Sequence, residues 1–216
     1  MFMESTRIIA VRHGETAWNV GQRIQGHLDI ELNETGRLQA LRLARALEGR
    51  ETIDAIYCSD LSRARQTAQV VADAVGLPLT PTPTLRERSF GEYEGLTFPQ
   101  ITESWPEQAE RWRKRDPDWA PPGGGESLRQ LKERLTQTVN ELAARHMGQH
   151  IALFTHGGVL DMLYRIAAGM GLQDARTWQL GNTAVNRLLW TPEGLSLVGW
   201  GDETHLEDAS LDESTA

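Results

Sequence analysis

Cysteine and long apolar runs are scarce in this sequence of 216 residues. Its single cysteine, Cys58, excludes an intrachain disulfide and a zinc site made of cysteines, and it fits a reducing compartment. No segment approaches the roughly 20 consecutive apolar residues that a membrane-spanning helix needs. Residues 1–7 also lack the charged and then apolar layout of a signal peptide. We therefore expect a cytoplasmic protein that is not bound to a membrane.

Positive charge is also in short supply, with 22 Lys and Arg residues against 30 Asp and Glu residues and a net charge of −8. This balance argues against non-specific binding to nucleic acid or anionic lipid, since both attract a positive surface. The acidity is uneven, because six acidic residues lie in the last fifteen positions, which contain no Lys or Arg. The rest of the chain is close to neutral, which leaves room for a locally positive pocket that binds a small anion.

Hydrophobic residues make up 39% of the sequence, enough to fill the core of one domain. Short apolar runs typical of buried strands lie at 7–11, 55–58, 151–154, 184–190 and 195–200. Capping residues and terminating glycines predict amphipathic helices from Asn33 to Gly49, from Ser59 and Asp60 to Gly76, from Ser127 to Gly148, and over 159–168. This alternation predicts an α/β fold, a three-layer arrangement of a mainly parallel sheet with helices on both faces.

One segment interrupts the alternation of strands and helices. Residues 98–122 contain five prolines and three tryptophans, a composition that predicts a small helical insertion over the sheet. We expect residues 1–208 to form a single domain that includes this insertion. The acidic residues 209–216 are expected to form a frayed tail.

Polar motifs follow three of the predicted strands. The sequence Arg-His-Gly at 12–14 follows the first strand, Arg63 lies in the first turn after the second, and His-Gly-Gly at 156–158 follows a third. In an α/β sheet, ligands bind beyond the carboxyl ends of the strands, where loops lead into helices. We therefore expect His13 and His156 to meet there, although they lie far apart in the sequence.

Two histidines and two arginines near the starts of helices are typical of a site for phosphate. A neutral imidazole, here that of His13, can attack phosphorus and form a phosphohistidine when cations stabilise the transferring group. Glu87 is the candidate for the acid that protonates the leaving oxygen, and later for the base. Taken singly, a buried histidine is more often structural, and Glu87 could instead pair with Arg86 or Arg88.

Several ordered motifs along the chain make the sequence resemble the histidine phosphatase superfamily, which includes the cofactor-dependent phosphoglycerate mutases. The motifs lie at 11–19, 25–26, 32–36, 59–67, 85–88, 90–95, 125–127 and 155–157. The resemblance extends from residue 7 to about residue 206 and implies a phosphoglycerate mutase-like fold. Because the motifs occur in the same order and at similar spacing, they are far more specific than a lone Arg-His-Gly.

The resemblance implies a role for each residue that matches these motifs. His13 would be the phosphorylated nucleophile and Glu87 the proton donor. Arg12, Arg63 and His156 would bind and stabilise the transferring phosphoryl group. The substrate pocket would also include Asn19, Gln25, Gly26 and the backbone of Gly157. No metal and no cofactor are implied, and the histidines at 146, 150 and 156 do not predict a metal site, since the first two lie at a helix end and its loop.

Residues 88–95 and 201–205 resemble the broad-specificity phosphatase branch and its α-ribazole phosphatase relatives. A mutase must keep water away from its phosphohistidine, whereas a phosphatase admits water. We therefore predict a phosphatase for a small phosphorylated metabolite. The alternatives are a cofactor-dependent phosphoglycerate mutase and a non-catalytic module that binds a phosphorylated ligand. A homodimer is compatible with the sequence.

The insertion carries a short basic run at 111–115. A solvated helix face explains this run better than nucleic-acid binding, because acidic residues flank it. Trp105 and Trp112 are seven residues apart, so we expect them on one helical face that packs on the sheet domain as part of a lid. We also expect a cation of this run to reach a second anionic group of the substrate, a hypothesis that substitution of Arg113 and Lys114 would test.

Overall fold

The structure is a computed structural model, and it describes residues 5–207. Its six strands are β1 (Thr6–Arg12), β2 (Ala55–Cys58), β3 (Leu79–Pro81), β4 (His150–Thr155), β5 (Val185–Thr191) and β6 (Gly194–Asp202). Its helices are α1 (Ala17–Val20), α2 (Glu34–Glu48), α3 (Ser62–Val75), α4 (Phe98–Ser104), α5 (Pro106–Arg113), α6 (Leu128–Ala144), α7 (Gly157–Ala167) and α8 (Thr204–Glu207). The tail predicted at 209–216 lies outside the described residues, and the single domain over 1–208 stays a prediction.

All six strands form one sheet in the order β3-β2-β4-β1-β5-β6. The strands β3, β2, β4 and β1 are parallel to one another. The next strand, β5, is antiparallel to β1, and β6 is antiparallel to β5. The predicted α/β fold with a mainly parallel sheet is therefore confirmed.

Helices cover both faces of the sheet because successive side chains of a strand point to opposite faces. Ile8 and Ala10 of β1 pack in one core cluster with residues of α6 and α7. Ile9 and Val11 pack in a second cluster with residues of α2 and α3. The alternation along β1 thus divides the core into two layers, with the sheet between them.

The predicted cap of α3 is wrong. The helix begins at Ser62, and neither Ser59 nor Asp60 caps it. The carboxylate of Asp60 instead accepts two hydrogen bonds from Arg86, at 2.7 and 2.6 Å. The cap comes from elsewhere in the sequence, since Asp29 accepts hydrogen bonds from the backbone N–H and the hydroxyl of Ser62. The caps predicted at Asn33 and Ser127 are present.

The helical insertion contains two short helices, α4 and α5, and Trp105 lies at the junction between them. Trp105 and Trp112 therefore do not share one helical face, contrary to the sequence-based expectation. Both rings pack near Tyr93, with ring centroids 5.3 and 6.1 Å from it. A separate cluster, which we call the insertion core, contains the buried residues Tyr93, Ile101, Ala109 and Trp119.

The part of the chain that the structure describes contains no helix long and apolar enough to cross a membrane.

The close approach of α2 to the segment after β1 generates a prediction. A Cβ atom at Gly36 would overlap the carbonyl oxygen of Glu15. Alanine ordinarily favours a helix over glycine by about 1 kcal/mol. We nevertheless expect Gly36→Ala to lower the free energy of unfolding, by about 1–3 kcal/mol, because the backbone must shift.

Urea denaturation measures this change. The matched control is Gly49→Ala at the other end of α2, where a Cβ would meet nothing within 4 Å and φ is −106°. Equal stability of the two variants would contradict the prediction.

Candidate active site

The parallel pairing of β1 with β4 brings the two predicted site histidines together. Arg12 lies opposite Thr155 in the register, and the backbone N–H of His13 donates to the Thr155 carbonyl at 2.9 Å. The next residue, His156, begins α7 as its N-cap. The rings of His13 and His156 consequently lie with their centroids 5.2 Å apart, and both side chains are buried.

The hydrogen bond of the His13 ring fixes its neutral tautomer. Nδ1 lies 2.7 Å from the carbonyl oxygen of Gly14, which can only accept. Nδ1 therefore carries the proton, and Nε2 keeps its lone pair. Burial lowers the pKa of His13 well below 6.5, and the charges of Arg63 and Arg12 lower it further. His13 is thus neutral at pH 7 with a free nitrogen lone pair, as a nucleophile requires.

Two arginines, the buried Arg63 and the half-buried Arg12, flank the histidines, and backbone carbonyl groups hold them. Arg63, in the first turn of α3, donates from Nη1 to Leu28 at 2.9 Å and from Nη2 to Gly26 at 2.8 Å. Arg12 donates from Nη1 to the carbonyl of Leu180. Nε of each arginine is buried with no hydrogen-bond partner among the described residues. Burial lowers the pKa of Arg63 to about 10, so it stays cationic at neutral pH.

His156 supplies further unpaired polar atoms. Both of its ring nitrogens are buried with no hydrogen-bond partner in the part of the chain described. Burial lowers the pKa of His156 well below 6.5, and the charge of Arg63 lowers it further. Buried polar groups are nearly always hydrogen-bonded, so the unpaired nitrogens indicate a polar ligand.

Glu87 makes neither of the ion pairs weighed from the sequence. Its Oε2 accepts from the Gly158 N–H at 2.9 Å, and its Oε1 accepts from the Arg88 N–H at 2.8 Å. The Arg86 side chain pairs with Asp60, and the Arg88 side chain donates to the Glu126 carbonyl. The Glu87 carboxylate is therefore fixed at the start of α7, beside the histidines.

The site opens into a cavity of about 840 Å³. Eight of the nine predicted site residues line it: Arg12, His13, Asn19, Gln25, Gly26, Arg63, Glu87 and Gly157. The ninth, His156, is fully buried beside His13. Asn19 is both a helix-capping residue and a lining residue, because its Oδ1 accepts from the Thr16 N–H while the residue borders the cavity.

The cavity also has arginines that the sequence argument missed. Arg23, Arg88, Arg115 and Arg176 line it, which gives six arginines against the three acidic residues Glu87, Asp161 and Glu203. None of the four arginines lies in a strand-end motif. Arg115 belongs to the basic run at 111–115, from which the sequence did not single it out.

Of the basic run at 111–115, Arg115 lines the cavity, whereas Arg113 and Lys114 do not. The side chains of Arg113 and Lys114 are exposed and pair with Glu110 of the same helix.

Thr67 is another residue of the site that the sequence analysis did not single out. Its hydroxyl accepts a hydrogen bond from the Gly14 N–H at 2.9 Å and donates one to the Arg63 carbonyl at 2.8 Å. Its position four residues after Arg63, on the same face of α3, is a signal that could have revealed it.

Within residues 5–207, no three His, Cys, Asp or Glu side chains are grouped so that they could hold a metal ion. The absence of a metal requirement stays a prediction.

Comparisons with known proteins identify the family of this chain. A model of the histidine phosphatase superfamily (branch 1) matches residues 8–203. The chain is 38% identical over 211 residues to phosphoglycerate mutase-like protein 4 of Arabidopsis thaliana, covering 97% of this chain and 90% of that protein. It is 37% identical over 210 residues to the metal-independent phosphoserine phosphatase of the same plant, covering 96% and 86%.

The solved structure of a mycobacterial glucosyl-3-phosphoglycerate phosphatase matches with a TM-score of 0.82 and 33% identity, covering 92% of this chain and all of that one. The chain belongs to the histidine phosphatase superfamily. The predicted family is confirmed, and so is the prediction of a phosphoric monoester hydrolase.

The lowered pKa of His13 can be measured by NMR of protein with labelled histidines. Since the free energy of the imidazolium form is raised by burial and by Arg63, the ring should stay neutral as the pH falls through 6.5. Arg63→Met should raise the pKa of His13. The control is Arg65→Met, an exposed arginine of the same helix. A His13 ring that titrates at an ordinary pKa of about 6.5 would contradict this account.

Proposed function

We propose that this protein hydrolyses small phosphate monoesters in two steps through a phosphohistidine on His13, without a metal. The observation that carries the proposal is the hydrogen bond from His13 Nδ1 to the Gly14 carbonyl. It leaves Nε2 unprotonated in a cavity where Arg12 and Arg63 supply positive charge. A phosphoryl group carries its charge on oxygens that such donors stabilise.

In the first step, Nε2 attacks phosphorus and the bond from phosphorus to the ester oxygen breaks. Glu87, in its protonated form, gives its proton to the leaving oxygen, so that an alcohol departs. In the second step, water attacks the phosphohistidine, the bond from phosphorus to Nε2 breaks, and Glu87 takes the proton of the water. The products are an alcohol and inorganic phosphate, and both His13 and Glu87 return to their starting states.

We further propose that the substrate is a small metabolite that carries a second anionic group. Arg23, Arg115 and Arg176 line the cavity in addition to Arg12 and Arg63, which we assign to the phosphoryl group. Two of the similar proteins are named for phosphoserine and glucosyl-3-phosphoglycerate, and both of those esters contain a carboxylate. The single buried Cys58 supports a cytoplasmic location for the reaction.

Phosphate release from a panel of esters, measured in EDTA, tests the reaction. The panel should contain sugar phosphates, phosphoglycerates, nucleotides and phosphoamino acids. We expect turnover that His13→Ala abolishes, while the control His146→Ala, which replaces a histidine bonded to Tyr57, retains it. An active His13→Ala enzyme would rule out the mechanism.

A phosphoglycerate mutase is the second candidate, because one similar protein is named as phosphoglycerate mutase-like. Following 3-phosphoglycerate with and without a bisphosphoglycerate primer separates the two activities. Isomerisation faster than phosphate release would favour the mutase.

The contact between Gly158 and Glu87 generates a prediction about the role of the Glu87 carboxylate. A Cβ atom at Gly158 would overlap Oε1 of Glu87. Gly158→Ala should therefore displace the carboxylate and lower kcat by about 100-fold, the scale of general acid catalysis. The Glu87→Ala background is the control, because without the carboxylate Gly158→Ala should cause no further loss. Equal losses in the two backgrounds would show that Gly158 acts independently of Glu87.

A further inference from the structure

We propose that Asp161 is a positioning residue that fixes Arg115 in the cavity, so that Arg115 binds the second anionic group of the substrate. The proposal rests on the proposed function for the substrate class. It concerns a contact between α7, whose N-cap is His156, and the insertion, which also borders the cavity.

Asp161 bridges two arginines. Its Oδ2 accepts from Nη2 of Arg115 at 2.8 Å and from Nε of Arg165 at 3.0 Å. Arg115 also donates from Nε to the carbonyl of Leu172 at 2.6 Å. These bonds use Nε and Nη2, which form one edge of the guanidinium. Nη1 donates to no residue that the structure describes, and Arg115 lines the cavity.

The end of α5 turns the chain at Arg115. Its φ is 53°, in the left-handed region that residues other than glycine seldom adopt. The N–H of Arg115 donates to the Trp112 carbonyl at 2.8 Å and that of Asp116 to the Arg111 carbonyl at 3.1 Å, the pattern that ends a helix in a left-handed residue. The helix end therefore fixes the backbone of Arg115, and the two side-chain contacts described above fix its guanidinium.

Arg165 fixes the carboxylate of Asp161 through a hydrogen bond within α7. It is fully buried, lies 4.9 Å from the centre of the Trp178 ring, and donates from Nη1 to the carbonyls of Gly171 and Asp174. Its Nε therefore presents a fixed positive charge to Asp161. The other oxygen of Asp161, Oδ1, is buried with no partner among the described residues.

This arrangement is costly for stability alone, because a buried carboxylate oxygen without a partner is unfavourable. The arrangement is explained if the carboxylate of Asp161 serves to hold Arg115 in the cavity. The neighbouring basic residues behave differently. Arg113 and Lys114 are exposed and pair with Glu110 of their own helix. Arg115, by comparison, reaches across to α7.

Two probes of similar size separate the roles. 3-Phosphoglycerate carries a carboxylate at the end of the carbon chain opposite its phosphate. Glycerol 3-phosphate carries a hydroxymethyl group in place of that carboxylate. Calorimetry on protein with His13→Ala gives the ratio of the two Kd values without turnover, and kcat/KM with His13 intact gives the same ratio during catalysis. The variants are Arg115→Ala, Asp161→Asn and the double variant.

We expect Arg115→Ala and Asp161→Asn each to reduce the preference for 3-phosphoglycerate about ten-fold or more, the loss typical of a charge-assisted hydrogen bond. The change should appear mainly in KM. The double variant should lose no more than Arg115→Ala alone, because Asp161 acts through Arg115. Arg115→Lys should restore part of the preference, and Arg113→Ala is the matched control that should leave it unchanged.

Each outcome bears on a different claim. An unchanged preference in Arg115→Ala would overturn the second anion site, and an unchanged preference in Asp161→Asn would overturn the positioning role. Equal losses for both probes in Asp161→Asn would indicate a merely structural residue, and this too would overturn the proposal. If the Kd ratios shift as expected but neither ester is hydrolysed, the proposed function fails while the role of Asp161 is supported.

Discussion

Parallel hydrogen bonding between β1 and β4 is the constraint on which the candidate site depends. The register that sets Arg12 against Thr155 also sets His13 beside His156, because each histidine is the next residue of its strand. A shift of one residue in this pairing would turn every side chain of β1 to the opposite face. The packing of the two core layers therefore fixes the register of β1 with β4, and the same register fixes the positions of the two histidines.

The electrostatics of the site follow from how its positive charges are held. Carbonyl oxygens, rather than carboxylates, are the direct partners of Arg12 and Arg63 among the described residues. Carbonyls orient a guanidinium without cancelling its charge, and burial limits screening by water. The same charges keep His13 neutral. One arrangement therefore attracts a phosphoryl group and preserves the lone pair that would attack it.

Much of the fold and of the candidate site could be predicted from the sequence, because both depend on local signals. Apolar runs marked five of the six described strands, all except the three-residue β3, and motifs after three of them marked the carboxyl ends where the predicted residues meet. The failures involve partners distant in sequence. Asp60 does not cap α3, since Arg86 binds it and Asp29 takes its place. Arg115 was not singled out from its basic run, because its partner is a carboxylate of α7, distant in the sequence.

The insertion core gives the cavity a support of its own. Its buried residues form a cluster separate from the two layers around the sheet. Phe90 and Trp112, which pack against this cluster, line the cavity. The two histidines instead follow strands whose side chains belong to the layers around the sheet. Two independent cores thus meet at one cavity, so that its aromatic wall and its histidines are anchored by different sets of contacts.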